Sequence, residues 1–472
     1  MNLRTFLIFV YLVTSIPLFL FFYTDISVWL SFFVNYLFIT AITYYHLEVE
    51  KTYSPFLSAY IVFNFLFFIV APIIQINAID PEVNTFINFF PYSSNVVIYT
   101  NAVILFFNII FFLSYVHFKS KRVFIKALPK SPSPFTPIIA ITLVIICAVI
   151  LITNFGFLIN EIERANWMKP DTSVGSLLIR KKVLFLVPLG GVAICFSYLR
   201  SKVKLSRNSI IIFGVMLIML FILLVLKNPL TEKRNALGPI YISLIYLFFP
   251  KIINKNAKSF LFLFISMIIA FPLISALTHL RITFQEMIEH PEEIVEYLQK
   301  EGILRAFSTL HYDAYANIIA TVDYVKLNGL EYGHQLLSSL LFFIPRGIWE
   351  GKPYSTGQVV GDHLIEEYGF RFNNISNPIV SEGYINFGWV GVFLMAIALS
   401  FAIIKLMQWL NSGDALKEII SFYFAIHLLF LLRGDFTNGY AYFIGTLLGV
   451  VVIPKIIEKC ITFSFSKSKT SS

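Results

Sequence analysis

The chain has 472 residues, of which 57% are apolar and 13% are charged, whereas soluble domains carry about 25% charged residues. So little charge cannot coat the two or three domains that a soluble chain of this length would form, and so apolar a chain is not disordered. The mean hydropathy of +0.77 is typical instead of a polytopic membrane protein.

Twelve apolar runs are candidates for membrane-spanning helices, because a bilayer core of about 30 Å requires about 20 helical residues. In chain order they are 4–23, 27–45, 56–76, 96–117, 136–157, 183–200, 209–226, 236–250, 259–278, 383–404, 417–432 and 438–454. None alternates apolar and polar residues in the manner of a transmembrane β-strand. The sequence therefore predicts an all-α polytopic integral membrane protein with about 12 transmembrane helices, forming a single transmembrane domain over residues 1–472.

Lys and Arg are distributed unequally between the two sides that these runs define. The side of both termini carries 20 of the 36 basic residues but only 5 of the 27 acidic ones. Because basic residues accumulate in cytoplasmic loops, we expect the N- and C-termini in the cytoplasm. The net charge of +9 is thus a topology signal, and no nucleic acid partner is expected.

Three outer segments carry cations against this trend, and they lie at 160–182, 226–238 and 431–439. One interpretation is that each cation extends to lipid headgroups from a helix end, which we prefer for Lys181, Lys182 and Lys227. For Arg164, Arg234 and Arg433 we favour a functional role. A structural ion pair with Asp435 is the main alternative for Arg433.

One outer loop, residues 279–382, is far longer than a connection requires, and long ordered loops are usually functional. Residues 284–300 predict an acidic amphipathic helix, and 303–325 predict a second helix from its apolar spacing. The apolar run 336–345 is too short to span a bilayer, so it is interfacial or re-entrant. The loop is therefore predicted to contain short helices.

Motifs for metal and nucleotide sites are absent from the sequence: there is no C-x-x-C, H-E-x-x-H, P-loop or G-x-G-x-x-G pattern. No cofactor and no metal is therefore expected. The outer segments contain no cysteine pair, so no disulfide is expected either.

Four motifs occur in an order that resembles bacterial oligosaccharide repeat-unit polymerases, the Wzy-type O-antigen polymerases. They are LTEKRNALG at 230–238, FIPRGIWEGKP at 343–353, NPIVSEGYINFGWVG at 377–391 and LLRGDFTNG at 431–439. The resemblance covers residues from about 150 to 450 and is strongest over 343–391.

The resemblance implies an enzyme, a metal-independent glycosyltransferase of O-antigen or related surface polysaccharide biosynthesis, with a GT-C-like fold. Such an enzyme polymerises undecaprenyl-diphosphate-linked oligosaccharides, which serve as donor and acceptor. It would lie in the bacterial inner membrane with its active site on the periplasmic side, where 279–382 would be a large periplasmic loop. The family's usual partners are a flippase and a chain-length regulator.

Glycosyl transfer from a lipid diphosphate has two chemical needs that the outer residues can meet. Without a metal, fixed cations must stabilise the departing diphosphate, and a carboxylate or imidazole must take the acceptor's proton. Candidate cations are Arg164, Arg180, Arg234, Arg281, Arg346, Lys352 and Arg433. Candidate bases are Glu382, Asp313 and His311, and supporting residues are Asp435 and Trp349. Asp313 and His311 lie two apart on a predicted helix, so they are not expected to act as a direct dyad.

Two alternative functions share some of these features. A ligase that moves finished glycan onto lipid A core would use the same donor and the same cations. A flippase or other transporter of lipid-linked oligosaccharides would be expected to place charges inside its spans and to have short loops. The long loop and the uncharged span centres argue against the transporter.

Overall fold

The computed structural model describes residues 2–77, 86–163, 177–202, 206–229, 234–270 and 307–470, together with the single positions 232 and 292. The regular elements within these ranges are helices, several of which contain a π-turn. In chain order they are α1 (Leu3–Leu20), α2 (Ile26–Val49), α3 (Pro55–Ile76), α4 (Ser94–Ser120), α5 (Thr136–Thr153), α6 (Phe155–Glu163), α7 (Ile179–Ser201), α8 (Arg207–Leu226), α9 (Arg234–Phe248), α10 (Asn256–Ile269), α11 (Ala314–Asn328), α12 (His334–Leu340), α13 (Thr356–Tyr368), α14 (Ile379–Leu410), α15 (Ala415–Arg433) and α16 (Phe436–Phe465).

Ten of these helices are long and apolar enough to cross a membrane: α1 to α5, α7, α8 and α14 to α16. The prediction of an all-helical polytopic membrane protein is thereby confirmed. The predicted spans 236–250 and 259–278 correspond to α9 and α10, which are apolar but shorter. The predicted acidic helix at 284–300 lies outside the described ranges.

Contacts between helix ends define a face of the molecule that carries both termini, here called the terminal face. The start of α1 meets the end of α2 there, because Thr5 Oγ1 donates a hydrogen bond of 3.3 Å to Glu48 Oε1. The rings of Phe135, before α5, and Phe465, at the end of α16, stack with centroids 5.1 Å apart. Lys119, at the end of α4, donates to Glu50, just after α2, and so connects the two groups of helix ends. The N- and C-terminal helices therefore share one face.

The opposite face carries α11 to α13 and is here called the loop face. Gln75, at the outer end of α3, donates 2.9 Å hydrogen bonds to the carbonyls of Phe307 and Tyr312. Tyr315 of α11 donates to Asn101 of α4 at 3.1 Å. The described residues of the long loop thus pack against the ends of membrane-spanning helices.

A buried polar network joins α2, α3 and α4 near the terminal face. His46 contacts Glu50 through Nδ1 and Ser58 through Nε2 at 2.7 Å, while Tyr115 and Lys119 both donate to Glu50. Burial alone would raise the pKa of Glu50, but His46 and Lys119 hold that pKa below its ordinary value. Ser, His and Glu are ordered here as in a hydrolytic triad, yet Ser58 and His46 are fully buried. The network therefore fastens helices together.

α14 contains a sharp kink that the predicted span 383–404 does not anticipate. Phe387 leaves the helical region, and Gly388 has φ 57° and ψ −138°, a conformation that favours glycine. On either side of the kink, Gly383 and Gly391 approach so closely that a Cβ on either would overlap the backbone of the other. The first piece of α14 thus folds back beside the second, which places Glu382 at the loop face.

Candidate functional site

Arg433 and Asp313 form an ion pair at the loop face, between the end of α15 and the residue preceding α11. Arg433 Nη2 donates to Asp313 Oδ1 at 3.0 Å and to the carbonyl of Leu310 at 2.8 Å. Ser376 donates to the same Asp313 oxygen at 2.8 Å. The Arg433 side chain is 24% exposed and that of Asp313 is 5% exposed, so the cation is the part that a ligand reaches.

Glu382 lies on the first piece of α14, close enough to Asp435, two residues after Arg433, for the two carboxyl groups to interact electrostatically. Its Oε2 accepts a 2.6 Å hydrogen bond from Thr356 Oγ1, at the start of α13. Glu382 is only 1% exposed, and its Oε1 has no hydrogen-bond partner within the part of the chain that the structure describes. One carboxylate oxygen is therefore held in place while the other keeps its acceptor capacity.

The turn Gly434–Asp435 contacts residues that lie beside Asp313 and residues that lie beside Glu382. Gly434 packs directly against Ser376, leaving no room for a Cβ. Asp435 has φ 33° and caps α16 by accepting from the backbone N–H groups of Thr437 at 2.9 Å and Asn438 at 3.4 Å. A Cβ on Gly357 would lie 3.3 Å from Asp435 Oδ2, so Asp435 also borders the start of α13.

These contacts define the outer polar cluster, which consists of Asp313, Thr356, Ser376, Glu382, Arg433 and Asp435. Four of its members, Asp313, Glu382, Arg433 and Asp435, are among the residues predicted from the sequence. The expected alternative for Arg433, an ion pair with Asp435, is not formed, because Asp313 is its acidic partner and Asp435 serves as a helix cap.

Sequence reasoning missed Thr356 and Ser376, and it also missed the buried amides that surround them. Asn317 donates to the Ser376 carbonyl at 2.5 Å, and Thr321 donates to Asn377 Oδ1 at 3.1 Å. Asn377 Nδ2 has no partner within the described ranges, nor does the buried Nε of Arg433. The one available signal was the NPIVSEGY motif, which contains Asn377 and immediately follows Ser376.

Arg346 and Lys352 are bound up in a turn of their own. Lys352 Nζ donates to the carbonyls of Leu341 at 3.1 Å, Phe342 at 3.0 Å and Ile344 at 2.9 Å, all following α12. Arg346 donates to the carbonyls of Lys352 and Pro353. Burial, and secondarily the charge of Arg346, lowers the pKa of Lys352. Three acceptors use the three donors of Lys352, so its role in the structure is to close the turn.

The two other predicted residues of this part of the loop are Trp349 and His311. Trp349 is half-buried in the same turn, and its backbone N–H donates to the Pro345 carbonyl at 3.1 Å. His311 belongs to the short 3₁₀ turn Leu310–Tyr312, and its backbone N–H lies 3.4 Å from Thr309 Oγ1. Of the helix predicted at 303–325, the structure describes α11 from Ala314 onwards, so Asp313 precedes α11 and His311 lies outside it.

Arg180 belongs to a different group of charges, at the outer end of α7. Its guanidinium lies 5.3 Å from the ring centroid of Phe157. Lys181 forms an ion pair of 2.7 Å with Glu161, and Lys227 forms one of 2.9 Å with Glu232. Burial lowers the pKa of Lys227, although Glu232 acts in the opposite direction.

The expected headgroup contact is wrong for Lys227, which is only 1% exposed and lies among protein groups. Lys182 lies 4.0 Å from the ring centroid of Tyr442 on α16. Arg164 and Arg281 lie outside the described residues. Arg234 begins α9, and its side chain is likewise outside the description.

Among the residues that the structure describes, no group of three His, Cys, Asp or Glu is placed to hold a metal ion. The side chains of the outer polar cluster offer a partly accessible guanidinium and a buried carboxylate with one oxygen still able to accept a proton.

Residues 375–460 match the sequence model of a protein family described as O-antigen polysaccharide polymerase Wzy. The matched range contains Ser376, Glu382, Arg433 and Asp435, which are four of the six members of the outer polar cluster. The resemblance based on sequence motifs is thus confirmed over this range, and it supports O-antigen polymerase activity in broad terms. No curated protein and no solved structure that was compared with the chain gives a match.

Proposed function

We propose that this protein is a membrane glycosyltransferase that polymerises undecaprenyl-diphosphate-linked oligosaccharide repeat units, with the loop face in the periplasm. One observation carries the proposal. Glu382 and Arg433 lie in the segment matched by the polymerase family model, and their partners Thr356 and Asp313 come from the long loop. Cation and carboxylates lie at the ends of spanning helices, where a lipid diphosphate would be presented.

In the proposed reaction the acceptor is a sugar hydroxyl of a new lipid-linked repeat unit. Its oxygen attacks the anomeric carbon of the sugar that joins the growing glycan to its lipid diphosphate. The bond between that carbon and the diphosphate oxygen breaks, and undecaprenyl diphosphate leaves. The hydroxyl proton passes to a carboxylate, which we assign to Glu382 because its Oε1 has no donor within the described residues.

Arg433 stabilises the charge that develops on the leaving diphosphate. A guanidinium carries five N–H donors in a planar fork, and Asp313 and Leu310 use only those of Nη2. Donors on Nη1 remain available for phosphate oxygens. Asp313 is in this proposal a positioning residue, since it fixes the guanidinium and is itself fixed by Ser376.

The remaining predicted cations enter the proposal at different levels. Arg164, Arg234 and Arg281 are retained as diphosphate ligands on sequence grounds alone. Lys352 and Arg346 are assigned to holding the turn after α12, and Arg180 to the outer end of α7. His311 is retained as a second candidate base. A flippase that supplies repeat units and a regulator of chain length are the proposed partners.

Purified protein in liposomes, supplied with lipid-linked repeat units, tests the proposal directly. We expect glycan chains to lengthen on lipid diphosphate without any ion gradient. Movement of repeat units across the bilayer without chain growth would instead establish a transporter. Transfer of glycan onto added lipid A core, without lengthening of chains on lipid diphosphate, would establish a ligase.

Deletion of the gene in its host separates polymerase from ligase by a second route. Loss of a polymerase leaves lipid A core capped with a single repeat unit, whereas loss of a ligase leaves bare core. We expect the capped form. Restoration of long chains by the wild-type protein, with expression verified by immunoblot, is the necessary control.

A further inference from the structure

A cavity of about 610 Å³ opens on the terminal face, remote from the outer polar cluster. It lies between the end of α7, the end of α9 and the turn joining α14 to α15. Lys126, Arg200 and Lys251 line it together with Glu418 and the ring of Tyr246. Ligand pockets typically measure about 300–1,000 Å³, so this volume suits an organic headgroup and far exceeds one phosphate ion.

The charges of the cavity are unbalanced in favour of cations. Three exposed basic residues line the cavity together with one acidic residue, Glu418. Lys126 and Arg200 both lie close enough to Glu418 to act on it electrostatically. Glu418 therefore cannot neutralise them all, and the cavity keeps an excess of two positive charges for a ligand.

The wall that carries Lys126 is fixed by hydrogen bonds to the α14–α15 turn. The backbone N–H of Ala127 donates to the carbonyl of Asn411 at 2.9 Å, and that of Lys130 donates to Gly413 at 2.9 Å. Lys130 and Lys455 both pair with Asp414, at 3.8 and 3.0 Å. The backbone that carries Lys126 is thus fixed against the α14–α15 turn.

Part of the cavity lining is apolar and aromatic. The ring of Tyr246 stacks on Phe422 with centroids 4.1 Å apart and an interplanar angle of 3°. Phe196 and Leu410 also contribute to the lining. An apolar lining beside basic residues suits an amphipathic ligand better than a free inorganic ion.

The cavity also lies at a definite depth relative to a membrane. Arg200 is in the last turn of α7, Leu410 ends α14 and Ala415 begins α15, and each of these helices is long enough to cross a bilayer. Their ends are therefore at headgroup level. Basic pockets between transmembrane helices on the cytoplasmic side are suited to acidic lipid headgroups.

We propose that this cavity binds the phosphate headgroup of an anionic membrane lipid, with Lys126, Arg200 and Lys251 as the ligating cations. This site is distinct from the outer polar cluster and does not depend on the polymerase proposal. An excess of two positive charges matches a headgroup with one or two phosphates.

The test uses the full-length protein, delipidated in a neutral detergent and titrated with dioctanoyl phosphatidylglycerol. The dissociation constant is read from the shift of Tm and from lipid retained in native mass spectrometry. We expect saturable binding that Arg200→Gln and Lys251→Gln each weaken about fivefold, the effect of one basic residue near an anionic surface. Glu418→Gln should strengthen binding, because it removes the opposing charge.

Lys459→Gln is the matched control, since Lys459 is an exposed cation near the end of α16 that does not line the cavity. Equal binding of dioctanoyl phosphatidylcholine would overturn the proposal, and so would equal losses in Lys459→Gln and the cavity variants. Binding of inorganic phosphate at the same affinity would overturn the assignment to a lipid. Because the readout is lipid binding, its failure leaves the polymerase proposal unaffected, and failure of chain growth leaves this one unaffected.

Discussion

Arg433 Nη2 lies 3.0 Å from Asp313 Oδ1, although 120 residues separate the two along the chain. The pair joins the end of a membrane-spanning helix, α15, to the residue that precedes α11. Since Ser376 donates to the same carboxylate, three segments meet at one oxygen. The position of Arg433 is thereby determined by the loop as much as by its own helix.

Asp313→Asn should lower both stability and polymer formation. Asn keeps an oxygen for Ser376 but leaves the half-buried guanidinium without its counter-charge, so we expect a loss of about 1–3 kcal/mol in the free energy of unfolding. Tm in detergent and the length distribution of the polysaccharide measure the two effects. Glu350→Gln, an exposed acid of the same face, should change neither.

The partner of this test is a double-mutant cycle with Arg433→Gln. If Asp313 acts only through Arg433, the double variant should be no less active than Arg433→Gln alone. Additive losses of activity would assign Asp313 a direct chemical role and would contradict its assignment as a positioning residue.

Glu382→Gln should strongly slow polymer formation while leaving the fold intact. The amide oxygen can still accept the hydrogen bond from Thr356, but it cannot take a proton. We expect a decrease of about 10²–10⁴-fold in the rate of chain growth, measured with purified protein. The retained Tm distinguishes this loss from unfolding.

Thr356→Val provides the comparison for Glu382→Gln, because it removes the hydroxyl donor and keeps the carboxylate. Its rate should fall less than that of Glu382→Gln. A Glu382→Gln protein that lengthens chains at the wild-type rate would transfer the role of base to Asp313 or His311.

Lys352→Met should loosen the turn after α12. The variant loses three hydrogen bonds to the carbonyls of Leu341, Phe342 and Ile344, which we expect to cost about 1–3 kcal/mol for this partly exposed side chain. Limited proteolysis should then cut within residues 341–354 faster than it does in the wild type. Lys326→Met, at an exposed position of α11, is the matched control.

A different result for Lys352→Met would support the diphosphate-binding role that the sequence predicted for Lys352. Loss of chain growth with unchanged protease resistance would mean that the ammonium group binds the diphosphate. Parallel losses of activity and protease resistance would support the turn-closing role.

Asp414 should make stability depend on pH in the acid range. Burial alone would raise the pKa of Asp414, but Lys455, the backbone N–H of Lys417 and Lys130 together hold it below the ordinary 3.8. Because the folded-state pKa is the lower one, the stabilisation is complete above 3.8 and is lost as pH falls towards the folded-state value. Tm measured over a pH series should therefore drop more steeply for the wild type than for Asp414→Asn.

Lys455→Met is expected to remove most of the same pH dependence, since Lys455 contributes most to lowering the pKa of Asp414. Parallel pH profiles of the wild type and Asp414→Asn would show that the carboxylate is not stabilised as described.

Hydropathy was sufficient to predict the helical membrane architecture, because each span must satisfy its own backbone and be apolar over most of its length. It was insufficient for the kink in α14, because Phe387 and Gly388 lie within a segment that remains apolar enough to be predicted as one span, 383–404. Nothing in the pattern distinguishes a straight helix from one that folds back at a glycine.

The cations show where local reasoning ends. Arg433 is placed in a site by Asp313, whereas Lys352 is taken up by carbonyls only 8 to 11 residues away, and Lys227 is buried beside Glu232. All three look alike in sequence, as basic residues on the less basic side. Which of them faces a ligand depends on tertiary partners that no window of sequence contains.

The close approach of Gly383 and Gly391 has a consequence for genetics. Gly391 lies beyond the kink, eight residues from Gly383, yet a methyl group there would push against the backbone of Gly383, the neighbour of Glu382. A screen for strains that lack long polysaccharide should therefore recover Gly391→Ala alongside Glu382 variants. Such a variant would show that the contact between Gly383 and Gly391 determines the position of the Glu382 carboxylate. Second substitutions at the kink of α14 should restore polysaccharide length.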